Sequence, residues 1–165
     1  MKRVAPLFLI LVALAPARLA TAQEAIYLVR HAERADQSAD SPLSTEGVGR
    51  SYRLRDMLKD AGITKIYTTD LRRTIETAAP FAAAARIVPV PFASNDAGAG
   101  ALMASVRAVG PRDRVLIVAH SNALPDLLRA AGVTASIAIK DDEYDSLFIV
   151  VPQKGAPPVL IRLRY

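Results

Sequence analysis

The sequence predicts an α/β fold: a three-layer α/β/α sandwich with a mostly parallel central sheet and an antiparallel C-terminal strand pair. Three observations carry that expectation. Short apolar, β-prone runs alternate with stretches whose apolar residues recur at helical spacing. Two runs, Ile26–Val29 and Val115–Ala119, carry no charged or strongly polar residue, as strands buried on both faces do. The last part of the chain holds two β-rich runs joined by a proline-bearing connection.

The elements follow in order. Ile26 to Val29 is the first strand and runs into Arg30 and His31. Residues 32–44 are polar, with Asp36, Ser38, Asp40, Ser41 and Pro42, and read as a loop. A helix starts at Ser44 or Thr45, with Glu46 in its first turn favouring the positive end of the helix dipole. Leu54, Leu58 and Ala61 share one face, and Gly62 ends it. Lys65 to Thr69 is a second strand. Thr69 or Asp70 is placed to cap the next helix, whose apolar stripe is Leu71, Ile75, Ala78, Ala79 and Ala82. Ile87 to Val90 reads as a short third strand and residues 91–100 as a loop, with a helix following to about Val109. After the strand Val115–Ala119 comes His120. Leu124, Leu127, Leu128 and Ala131 then mark a helix closed by Gly132. Tyr144–Val151 and Val159–Tyr165 pair antiparallel, with Pro152 to Pro158 as the connection.

With 165 residues the chain suffices for one domain and a proper core. Its start reads differently. Lys2 and Arg3 precede an apolar run, Val4 to Leu14, and Ala20-Thr21-Ala22 supplies the small residues of a cleavage site. Residues 1–22 are therefore expected to be a secretory signal and residues 23–165 the domain, bound for the periplasm or the exterior. The run is short of the roughly 20 residues of a membrane span, so no stable membrane insertion is expected after cleavage. The formal charge of +5 includes Lys2, Arg3 and Arg18, and without them it is +2. No Lys/Arg run interleaved with aromatics is present, which speaks against nucleic acid as a partner. The absence of cysteine excludes disulfides, thiolate metal sites and a cysteine nucleophile.

The two histidines, His31 and His120, each directly follow an apolar strand. In open α/β sheets ligands bind outside the carboxyl ends of the strands. Arg30 precedes His31, and Arg72 and Arg73 fall in the first turn of the helix after the second strand. Cations there oppose the helix dipole unless an anion joins them. Two imidazoles and two guanidiniums make a site for a dianionic phosphate, since guanidinium donates in a planar fork. One neutral imidazole can attack phosphorus while the other groups stabilise charge on the equatorial oxygens. Paired histidines also bind metals, but neighbouring arginines repel a cation, so no metal and no cofactor is expected.

Four blocks resemble those of the histidine phosphatase superfamily, also called phosphoglycerate mutase-like. Leu28-Val29-Arg30-His31-Ala32-Glu33 is similar to the R-H-G signature, with alanine in place of glycine. Leu43-Ser44-Thr45-Glu46-Gly47 resembles the L-T-x-x-G helix start. Thr69-Asp70-Leu71-Arg72-Arg73-Thr74-Ile75-Glu76-Thr77-Ala78 is similar to S-x-L-x-R-A-x-Q-T-A, and Val118-Ala119-His120-Ser121-Asn122 to the block of the second histidine. The resemblance implies a small phosphohistidine-phosphatase-like member, with phosphohistidine on His31. By the same resemblance, Arg30, Arg73 rather than Arg72, and His120 are expected to complete the phosphate pocket. It further implies metal-independent transfer to water from a small phosphorylated substrate or a phosphoprotein.

Many members carry an acid that protonates the leaving group. Residues 121 and 122 are Ser and Asn, which leaves Glu33 and Asp96 as candidates. Asp126 reads as a helix surface charge and Asp141-Asp142-Glu143 as a solvated turn. The expected function is an exported, metal-independent phosphatase acting on a phosphomonoester or a phosphoramidate. Two alternatives share the pocket: a non-catalytic phosphate or phospho-ligand binding protein, and a phosphosugar mutase.

Overall fold

The computed structural model describes residues 24–93, 96–108 and 112–165, with the backbone alone at Asp96 and Ala97. The expected secretory signal, residues 1–22, lies outside them. Six strands and four helices are found among the described residues. They run β1 (Ala25–Arg30), α1 (Thr45–Leu58), β2 (Lys65–Thr68), α2 (Arg72–Ala85), β3 (Val90–Pro91), α3 (Asp96–Ala108), β4 (Arg114–Ala119), α4 (Leu124–Ala130), β5 (Ser146–Gln153) and β6 (Ala156–Arg164). The strands form one sheet in the order β3-β2-β4-β1-β5-β6. The first four in that order are mutually parallel, and β5 and β6 extend the sheet antiparallel from β1.

Alternation along the central strands makes the three layers, because successive side chains leave a strand on opposite faces. Ile26, Leu28, Val115 and Ile117 pack under α3 and α4, against Leu102, Met103, Val106, Leu124, Leu127 and Leu128. Val29, Leu116 and Val118 face the other way, onto Leu54 and Leu58 of α1 and Ala78, Phe81 and Ala82 of α2.

Ser44 caps α1 as expected, its Oγ accepting from Gly47 N at 3.1 Å. Gly47 is required for another reason: a Cβ there would lie 2.3 Å from the carbonyl oxygen of Glu33. The first turn of α1 thus rests directly on the chain just after His31.

Several expectations are corrected. Neither Thr69 nor Asp70 caps α2; Leu71 holds that position, and Asp40 of the preceding loop accepts from Arg72 N at 2.8 Å. The inward face of α2 is Thr74, Thr77, Ala78, Phe81 and Ala82, while Ile75 is 43% exposed and Ala79 also faces solvent. Threonines displace the predicted stripe because their hydroxyls are used inside. The third strand is only Val90–Pro91, at the sheet edge. Asp96 opens a helix rather than sitting in a loop reaching residue 100. Pro152 to Pro158 is not a long connection: β5 and β6 continue to a tight hairpin in which Gln153 pairs with Ala156 and Gly155 takes φ +72°.

Candidate active site

β1 and β4 are parallel neighbours in register, with Arg30 opposite Ala119. The residues that follow them leave the sheet at the same edge. His31 N donates to Ala119 O at 2.9 Å, and the imidazoles of His31 and His120 meet edge to face with centroids 5.2 Å apart. On the other side of β4, β2 delivers Thr69 and the start of α2 to the same place. Histidines 89 positions apart in sequence become neighbours through strand order alone.

The tautomer of His31 follows from its partner. Its Nδ1 lies 2.8 Å from the carbonyl oxygen of Ala32, which can only accept, so Nδ1 carries the proton and Nε2 keeps its lone pair. His120 Nε2 lies 3.2 Å from Thr69 Oγ1, itself 2.8 Å from Thr74 Oγ1. Thr77 Oγ1 accepts from Ala32 N at 2.9 Å and donates to Arg73 O at 2.6 Å. Three threonine hydroxyls, all buried, thereby fasten both histidine-bearing segments to the first turns of α2.

Burial dominates the electrostatics. It pushes the His31 imidazole down to about 3, with His120, Arg30 and Arg73 adding to the effect against the Ala32 hydrogen bond. His120 is pushed down to about 4, by burial first and then by Arg73 and Arg30. Both rings are neutral at neutral pH, the state in which an imidazole nitrogen is nucleophilic.

The two arginines are held by carbonyls. Arg30 Nη1 donates to the backbone oxygens of Lys140, Asp141 and Glu143 at 3.0, 2.9 and 3.2 Å. Its guanidinium carbon lies 4.0 Å from the centre of the Tyr144 ring, and that ring stands 6.1 Å from His31. Arg73 Nη1 donates to Ala39 O at 2.7 Å. The Nε of each is buried with no hydrogen-bond partner. A buried, unsatisfied charged donor is costly, so two at one site point to an anionic ligand.

Arg72, Glu33 and Asp126 engage other partners. Arg72 is 55% exposed and pairs with Glu76 at 3.0 Å, the surface role. Glu33 grips Arg50 through both carboxylate oxygens, at 2.5 to 3.0 Å. Burial raises its pKa, but the bonds and charge of Arg50 outweigh that and hold it below the usual carboxylate range. Asp96 lies at the first position of α3. Asp126 pairs with Arg129 on the surface. Asp141 and Asp142 are exposed, but the backbone of their segment forms a wall of the site. Among the described residues, no group of three or more His, Cys, Asp or Glu side chains is arranged to hold a metal ion.

Sequence reasoning missed Thr74, Thr77, Tyr144 and the 140–143 carbonyls. Thr74 and Thr77 lie within Thr69–Ala78, whose resemblance to a superfamily block is the signal that could have found them. Backbone carbonyls leave no residue signature, and Tyr144 follows an acidic cluster that reads as surface.

Comparison with known proteins agrees with this architecture. The family model of the histidine phosphatase superfamily (branch 1) matches residues 26–97, which contain His31 and Arg73. A probable phosphoglycerate mutase, GpmB, of Proteus mirabilis (strain HI4320) is 41% identical over 68 residues. That match covers 37% of this chain and 32% of that protein, about a third of its length. Among solved structures, the protein histidine phosphatase SixA complexed with tungstate superposes with a TM-score of 0.68 at 16% identity, over 85% of this chain and 96% of that one. The alpha-ribazole phosphatase of Shigella flexneri gives 0.68 at 13%, over 86% and 96%. A mycobacterial glucosyl-3-phosphoglycerate phosphatase gives 0.65 at 13%, over 86% and 98%. The fold is that of these phosphatases.

Proposed function

We propose that the protein is an exported, metal-independent phosphatase that transfers a phosphoryl group from a phosphomonoester or phosphoramidate to His31 and then to water. The observation that carries the reading is the pairing of two neutral imidazoles with two arginines whose buried Nε groups have no partner. His31 Nε2 attacks phosphorus, an N–P bond forms and the bond to the leaving group breaks. Arg30, Arg73 and His120 bind the three equatorial oxygens, where the charge spreads. Water then attacks the phosphohistidine and releases inorganic phosphate.

The ion pair with Arg50 keeps Glu33 ionised, which favours substrates whose leaving group departs with little protonation. Phosphoramidates and aryl phosphates meet that condition; unactivated alkyl phosphates gain about 10²–10⁴-fold from an acid. Export rests on the basic, apolar and small-residue pattern of residues 1–22.

The test is aryl phosphate hydrolysis by residues 23–165 with chelator present, beside His31→Ala. Wild-type turnover unaffected by chelator and absent in the variant is expected. Equal turnover in the two proteins refutes the role of His31. Phosphate binding without turnover turns the reading to a binding protein, and exchange between phosphosugar isomers turns it to a mutase.

A further inference from the structure

We infer that Tyr144 is a positioning residue: with the 140–143 carbonyls it clamps the Arg30 guanidinium so that only its Nε–Nη2 edge is offered to the phosphoryl group. The inference deepens the phosphatase reading and rests on it.

A guanidinium has five N–H donors, two of them on Nη1. Both are consumed by the three carbonyls of Lys140, Asp141 and Glu143, all within 3.2 Å. Nη1 is therefore unavailable to a substrate. The opposite edge contains Nε, which is buried and has no partner. An Nε–Nη2 edge presents two parallel N–H groups, the fork that matches two oxygens of a phosphoryl group.

Carbonyls on Nη1 fix one end of the group but leave its plane free to rock about that end. The Tyr144 ring removes this freedom. It lies 4.0 Å from the guanidinium carbon, within cation–π range, on a residue adjoining the carbonyl acceptors. The same ring stands 6.1 Å from His31, so it also borders the space in front of the imidazole. Loop and ring together aim one arginine edge at the atom that His31 would attack. The face of the ring, not its hydroxyl, restrains the guanidinium.

The test uses residues 23–165 with Tyr144→Phe, Tyr144→Leu, and pentafluorophenylalanine at position 144, which keeps the ring's shape but removes its negative face. Inorganic phosphate is the probe, titrated by calorimetry, and the Arg30 Nε–H signal is followed by NMR. We expect Tyr144→Leu and the fluorinated ring to weaken phosphate binding about 3- to 30-fold, and Tyr144→Phe to recover most of it. The Arg30 signal should broaden in the two weakened proteins. In turnover, KM for an aryl phosphate should rise more than kcat falls. Because the fluorinated protein retains the packing, a folding defect in Tyr144→Leu does not obscure the result. Unchanged phosphate affinity in the fluorinated protein overturns the clamp while leaving the phosphatase reading intact. Failure of wild-type protein to bind phosphate, with the Arg30 signal nonetheless sharpened by Tyr144, overturns the phosphatase reading and the phosphoryl role of the clamp with it.

Discussion

Gly47 and the threonines of α2 show how closely single residues constrain this site. A Cβ at position 47 would fall 2.3 Å from Glu33 O, and backbone cannot yield as a side-chain tip can. Gly47→Ala must push α1 away from the segment that carries His31. The expected cost is about 1–3 kcal/mol in urea unfolding, with weaker phosphate binding; a stability unchanged within about 0.5 kcal/mol would refute the contact. The histidines and Arg30 were legible in the sequence because each adjoins an uninterrupted apolar strand. Arg73 could be separated from Arg72 only through the resemblance. Thr74 and Thr77 were not legible by helical periodicity, because a buried hydroxyl that donates to a carbonyl interrupts the apolar stripe it belongs to.

At the scale of elements, the parallel core and the antiparallel C-terminal pair were readable, and the β3 edge was not. β1 and β4 are central and buried on both faces, so their composition alone marks them. β3 has two residues and both are exposed, so nothing in its composition distinguishes it from loop. The cap of α2 comes from Asp40, some thirty residues earlier, a tertiary contact that local motifs cannot encode. Asp40→Ala should therefore behave as the loss of an N-cap, costing about 1 kcal/mol measured by thermal unfolding. It should also loosen Arg73, which is tied to the adjacent Ala39 carbonyl, and so weaken phosphate binding. A variant as stable as wild type would mean that water replaces the carboxylate without loss.

For the whole molecule the buried histidines make stability depend on pH. In the unfolded chain each imidazole protonates near 6.5, whereas in the fold the two hold off until about 3 and about 4. Below pH 6.5 the unfolded chain binds more protons, so stability falls as pH falls. The stabilisation is fully present above 6.5. The slope approaches about 1.4 kcal/mol per pH unit for each histidine, up to about 4 kcal/mol for the pair between pH 8 and pH 5. Urea midpoints across that range should show it, and His31→Asn should lose about half of the dependence. A flat wild-type profile from pH 6.5 to pH 5 would contradict neutral histidines in the fold. Bound phosphate should flatten the profile, since a dianion beside the rings favours their protonated form.

Arg30 ends the first strand of the sheet, yet the carbonyls that hold it come from residues 140–143, more than a hundred positions later. The stretch between contains all four helices of the described residues and the rest of the parallel sheet. During refolding the parallel core can form while Arg30 remains unclamped, and the site is completed only when the segment leading into β5 docks beside β1. Such long-range closures are slow relative to local helix formation. The clamp on Arg30 is thus expected to form late, and a cut in the 133–145 connection should release it while sparing most of the core.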